Sequence, residues 1–216
     1  ARIELAELSV ESASLRLKAS GHGDLLAPDG AAFGPGALPD SILAQIAFQE
    51  VMVDPEGLFE EPIRFGEGAL DLRLRLTPFR LDIGQLALTE GDQRLLLSGQ
   101  VEAEEAGWGG ALDVRLNQID AERLLKVWPV AAVPKTRTWF ADNVGQGEMS
   151  DVQAALRLEP GGQPQFNLSY EFADTEVRFV RTLPPILNGR GHATLDNKTY
   201  TVALDQGHVI APEGGR

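Results

Sequence analysis

Strict alternation of apolar and polar residues constrains this chain more than any other feature. In LDLRLRL, Leu70, Leu72, Leu74 and Leu76 fall on one face of an extended backbone, and Asp71, Arg73 and Arg75 on the other. LDVRL repeats the pattern with Leu112, Val114 and Leu116. Shorter runs occur in SLRLKA (Leu15, Leu17), VQAALRL (Val152 to Leu158) and TYTVALD (Tyr200, Val202, Leu204). One apolar and one polar face is the mark of antiparallel strands with a single dry side. Turn chemistry separates them, at EGDQ (90–93), EEAGWGG (104–110), EPGGQP (159–164) and LDNKT (195–199). The expected fold is mainly β, an antiparallel meander.

Two stretches break the alternation. Residues 20–40, SGHGDLLAPDGAAFGPGALPD, are rich in Gly and Pro and read as a long surface loop, or as a lid or edge cover. Residues 120–144 read as two short helices. Asp120 suits an N-cap for AERLLKVW, Ile119 can staple onto Leu124, and Pro129 ends the helix. Pro134 opens a second helix, KTRTWFADN, that Gly145 can terminate in the left-handed conformation. The pair reads as a cap on a sheet, with Trp128 and Trp139 as core residues. The resulting division is a sheet segment over 1–118, a helical insert over 119–147, and a segment over 148–216 that continues the same sheet in a single domain.

A repeat lies within the strands. LDIGQLALTEG (81–91) and LDQGHVIAPEG (204–214) share Leu81/Leu204, Asp82/Asp205, Gly84/Gly207, Glu90/Glu213 and Gly91/Gly214. Alternation slips at Gly84, the sequence sign of a β-bulge, and repeated bulges curl a sheet in one direction. The first copy turns and returns as QRLLLSGQVEA, whereas the second is followed only by Gly215-Arg216. The missing return strand, and an opening in strand pattern without an initiator Met, predict a piece of a longer protein with Tyr200 to Ile210 as an unpaired strand.

Charge and chemistry narrow the function. The net charge of −13, with no basic face, argues against nucleic acid and against broad docking on anionic headgroups. No cysteine is present, and no run approaches the ~18 apolar residues of a membrane helix. His22, His192 and His208 lack metal-ligand spacing, and no nucleophile elbow, phosphate loop or EF-hand loop appears. Glu60-Glu61 and Glu104-Glu105 read as solvated turns rather than acid–base pairs. No catalytic residue, metal or cofactor is therefore expected.

The helical stretch also carries a family likeness. Ile119-Asp120, Leu124-Leu125, Trp128-Pro129 and then VPKTRTWFADNVGQGEMSDV resemble the central region of AsmA-like envelope proteins, in particular their YhdP-type branch. The family-motif positions are Trp128, Pro129, Pro134, Arg137, Trp139, Asn143 and Gly147. YEFADTEVRFVRTLPPILNGRGHATLD is similar to the same branch. The resemblance implies a curved β-sheet groove or half-barrel in the periplasm, anchored in the inner membrane through a segment outside this chain. It implies phospholipid transport towards the outer membrane, a role in barrier integrity, and no catalytic site.

The resulting expectation is a passive groove that binds phospholipid acyl chains along its apolar strand faces. Leu70, Leu72, Leu74, Leu76, Leu112, Val114 and Leu116 are the lipid-facing candidates. The rival is a structural or assembly module whose alternating strands face a closed core and which binds envelope proteins.

Overall fold

The computed structural model describes residues 1–28, 39–128, 130, 134–180, 182–196 and 199–210. Eight strands precede the helices: β1 (Arg2–Glu11), β2 (Leu15–Leu26), β3 (Ser41–Val53), β4 (Ile63–Phe65), β5 (Glu67–Leu76), β6 (Phe79–Glu90), β7 (Gln93–Glu104) and β8 (Gly107–Asp120). Then come α1 (Ala121–Val127), α2 (Pro134–Asn143), β9 (Val144–Leu158), β10 (Gln165–Val177), β11 (Ile186–Asp196) and β12 (Thr199–Val209). The fold is mainly β, an antiparallel meander with two short helices. Among the described residues 12 strands pair in chain order, apart from β4, which pairs only with β3. β1 and β12 end the order without pairing to each other, so the sheet is open rather than a closed barrel.

The Gly/Pro-rich stretch is shorter as a loop than its composition predicts. Ser20 to Leu26 continue β2, paired with β3 from Ser20↔Ala47 to Leu26↔Ser41. Gly21 is there for close approach rather than for a turn. A Cβ at that position would sit 2.1 Å from the Gln45 carbonyl oxygen. Residues 29–38 of the predicted loop lie outside the described residues.

The bulge predicted at Gly84 is present. Asp71 pairs with Gln85 and Leu72 with Ile83, which leaves Gly84 as the extra residue on β6. In the second copy the bulge occurs at a neighbouring place: Gly191 pairs with Leu204 and Arg190 with Gln206, so Asp205, not Gly207, is extra. A compensating shift on β11 coincides with Asn188 at φ 50°, a conformation that Asn tolerates better than most residues. β12 is an end strand with almost every side chain exposed. Residues 211–216, which close the second copy, lie outside the described residues.

The chain divides into two compact units. The first comprises Ala1–Val53, Arg64–Arg115 and Ala154–Phe166. The second comprises Asp54–Ile63, Leu116–Gln153 and Asn167–Arg216. The second holds a buried cluster of Ile119, Ala121, Phe140, Met149 and Phe172, and Leu124, Leu125 and Trp128 pack against it. Both helices thus pack on β8–β10, α1 through Leu124 and Leu125 and α2 through Phe140.

Local chemistry sets the helix ends. The Asp120 carboxylate accepts a 2.7 Å hydrogen bond from the Arg123 N–H, the predicted N-cap. α2 ends differently from the expectation: Gly145 has no left-handed backbone, and β9 starts immediately after Asn143. The Asn143 side-chain amide donates to the Trp139 carbonyl at 2.7 Å, and the Arg178 N–H donates to the Asn143 carbonyl at 2.9 Å. These two bonds satisfy helix-end carbonyls without a glycine.

Candidate functional site

Strand register in the first unit turns the alternation into continuous apolar rows. Ile3 pairs with Gly23, Gly23 with Ala44, Ala44 with Leu72, Leu72 with Ile83 and Ile83 with Gly99. A second row runs Leu5, Gly21, Ile46, Leu70, Leu86 and Leu97. The third runs Leu8, Ala19, Phe48, Gly68, Leu88 and Leu95. Each row crosses six neighbouring strands, roughly 24 Å at ordinary strand spacing. Leu74 lies between Ile42 and Leu81 at the edge of the same face.

The third row holds the buried Ala19 and Leu88, but the first two are not a closed core. Leu70, Leu72 and Leu74 are half-buried, and among the described residues no large side chain is fully withdrawn from solvent. Leu76 is 61% exposed at the end of β5. Beyond β7, Leu112 continues the face: a Cβ on Gly99 would lie 2.9 Å from its Cα. Val114 is half-buried on the same strand. Leu116 belongs to the second unit, where it packs on the cluster beneath the helices. The opposite face is polar and carries exposed ion pairs such as Lys18–Glu50 at 3.5 Å, each worth little in water.

The motif residues gather in the second unit. Pro134 is the first residue of α2, and Pro129 lies outside the described residues. Arg137 clamps three segments together: its guanidinium donates to the Leu125 carbonyl of α1 at 2.9 Å and meets Glu60 at 2.6 Å. Lys126 likewise meets Glu61 at 3.5 Å. The Glu60-Glu61 pair is therefore a docking point for the helices, not merely a solvated turn. Gly147 faces Thr175, whose Oγ1 would lie 2.8 Å from a Cβ there.

Of the two tryptophans expected in the core, Trp128 packs against the buried cluster and Trp139 departs from the expectation. Trp128 is half-buried, its ring 6.1 Å from Phe140. Trp139 is 36% exposed and Trp108 57% exposed. The reason at Trp139 is helical rotation. Successive residues diverge by about 100° at 3.6 residues per turn, so Phe140 takes the buried position. Trp139 instead meets Phe179 at 5.9 Å, on the wall of a cleft.

That cleft is open to solvent and lies among Trp139, Met149, Tyr170, Phe172, Tyr200 and Val202. The Tyr170 and Tyr200 hydroxyls hydrogen-bond to each other. Burial, and then the neighbouring Tyr200, push the Tyr170 phenol well above the ordinary tyrosine range, so it stays protonated. Sequence reasoning missed this cleft. Its only signal was the aromatic spacing of Tyr170 and Phe172, two residues apart on one strand face.

Among the described residues no group of three or more His, Asp or Glu side chains gathers as metal ligands, and no helix is long and apolar enough to cross a membrane. These features define an open-sheet β protein with apolar rows in one unit and an aromatic cleft in the other. Compared with family models, curated proteins and solved structures, the chain matches none.

Proposed function

We propose that this chain is a segment of a periplasmic AsmA-like protein that moves phospholipid between the inner and outer membranes and so maintains the outer-membrane barrier. The observation that carries this reading is the set of three apolar rows, in which Leu70, Leu72, Leu86 and Leu97 stay half-buried while Ala19 and Leu88 of the third row are buried. A closed sandwich would bury such leucines against a second sheet. A half-exposed row instead offers a hydrocarbon chain a dry surface at no cost of opening a core.

The mechanism is passive, with the apolar rows as a groove. Each methylene kept out of water is worth about 0.8 kcal/mol, so a continuous apolar path lowers the barrier to crossing an aqueous compartment. No covalent step and no cofactor are needed. The full-length protein is anchored to the inner membrane through a segment outside this chain. The helix-covered cluster of the second unit favours a second reading, a module that binds envelope proteins through a closed β-core.

Native mass spectrometry of the protein purified from a bacterial periplasm separates these readings. The expected result is co-purified phospholipid that organic extraction removes and vesicles restore. Protein that carries none, and takes none up from phosphatidylethanolamine vesicles, overturns lipid transfer.

A further inference from the structure

The second unit's cleft has a construction that the leucine rows do not share. Along β11, Gly189, Gly191 and Ala193 are small and buried. The flanking strands raise larger side chains at the paired positions. Tyr170 and Val202 flank Ala193, and Phe172 and Leu204 flank Gly191. The Phe172 ring lies over Gly191, where a Cβ would meet it at 2.8 Å. The Tyr170–Tyr200 hydroxyl pair joins β10 to β12, with β11 between them. Tyr170, Phe172, Tyr200 and Val202 line the cleft, with Trp139 of α2 as one wall.

We propose that this cleft is a second binding site, which holds one neutral hydrocarbon chain with its ester carbonyl at the Tyr170–Tyr200 pair. The inference rests on the lipid-transfer reading for the source of such chains, but not on the leucine rows. Three observations support it. Among the described residues no charged side chain lines the cleft, so a phosphate or carboxylate drawn inside would lose its water without gaining a counter-ion from them. The lining runs from Met149 on β9 to Val202 on β12, three strand spacings or roughly 14 Å, which suits a chain better than a compact headgroup. Two phenols carry two protons, and their mutual bond uses one. The other is free to donate to a neutral acceptor such as an ester carbonyl.

The test uses the full 216-residue chain with Trp108→Phe and Trp128→Phe, which leaves Trp139 as the sole indole emitter. The probes are methyl 9,10-dibromostearate and the free 9,10-dibromostearate anion, whose bromines quench tryptophan on contact. The methyl ester is expected to quench Trp139 saturably and the anion at least ~10-fold more weakly, since its charge would be buried unpaired. Tyr170→Phe should weaken the ester by about 3- to 10-fold, the ordinary worth of one hydrogen bond. Val202→Phe, on an exposed end strand, fills the cleft and should abolish quenching while melting stays near that of the parent. Folded protein with Trp139 unquenched, or equal quenching after Val202→Phe, overturns the site. Equal binding of ester and anion overturns the tyrosine assignment. If phospholipid still co-purifies while Trp139 stays unquenched, the cleft proposal fails alone. Saturable quenching by the ester in protein that never carries phospholipid leaves the cleft standing and removes lipid transfer.

Discussion

Phe140 and Trp139 are adjacent in sequence and do different work. Phe140, at 9% exposure, closes the cluster formed with Ile119, Met149 and Phe172, whereas Trp139 stands at the cleft wall. Phe140→Ala should therefore cost ~3–5 kcal/mol, the usual loss for a large core deletion. Trp139→Ala should cost less than Phe140→Ala, because about a third of the residue already meets water. Urea denaturation of both variants checks this, and a Trp139 loss as large as that of Phe140 would place the indole in the core. Residue-scale features that depend on near neighbours were legible in the sequence, as the Asp120 cap shows. The clamp of Arg137 was not, because one of its partners, Glu60, lies far away along the chain and is brought close only by folding.

At the scale of elements, strand pairing discriminates between glycines that look alike in sequence. Gly21 and Gly23 are two residues apart on β2 and share a face. A Cβ on Gly21 would lie 2.1 Å from the Gln45 carbonyl, but on Gly23 it would meet the Ile42 Cγ2 at 3.4 Å, an ordinary contact. Gly21→Ala should force β2 away from β3 and destabilise by about 2–4 kcal/mol, whereas Gly23→Ala should fall within about 1 kcal/mol of the parent. Thermal melts of the two variants provide the comparison; equal effects would show that the approach at Gly21 relaxes freely. The bulge at Gly84 could be read from the slip in alternation, since a bulge changes the phase of side chains along its own strand. The 20–40 loop was over-extended because composition cannot distinguish a glycine needed for a turn from one needed for close approach.

At the scale of the molecule, Leu74 decides what covers the apolar face of the first unit. It is half-buried between Ile42 and Leu81 on an end row. On an open face, water reaches an aspartate placed there, so Leu74→Asp should lower stability by only about 1–2 kcal/mol. Lipid co-purification should fall sharply, since a charge then stands on the apolar path. Scanning calorimetry and native mass spectrometry on the same preparation separate the cases. Loss of folding would mean that the side chain faces a closed core, and unchanged folding with unchanged lipid would remove Leu74 from the path.

The sequence by itself determined the mainly β class, the antiparallel meander, the position of the two helices, the Asp120 cap and the bulge at Gly84. All are local: they follow from a side-chain period of two, from turn and cap chemistry, or from a phase slip within one strand. Tertiary structure alone decided that Trp139 is partly exposed, that Arg137 joins three segments, and that β9–β12 and α2 build a cleft. It also decided that Leu70, Leu72 and Leu74 stay half-buried while Leu88 is buried. Alternation states that a face is apolar but is the same for a face covered by a second sheet and for one left open. The difference lies in which distant residues pack above it, and only the folded chain supplies them.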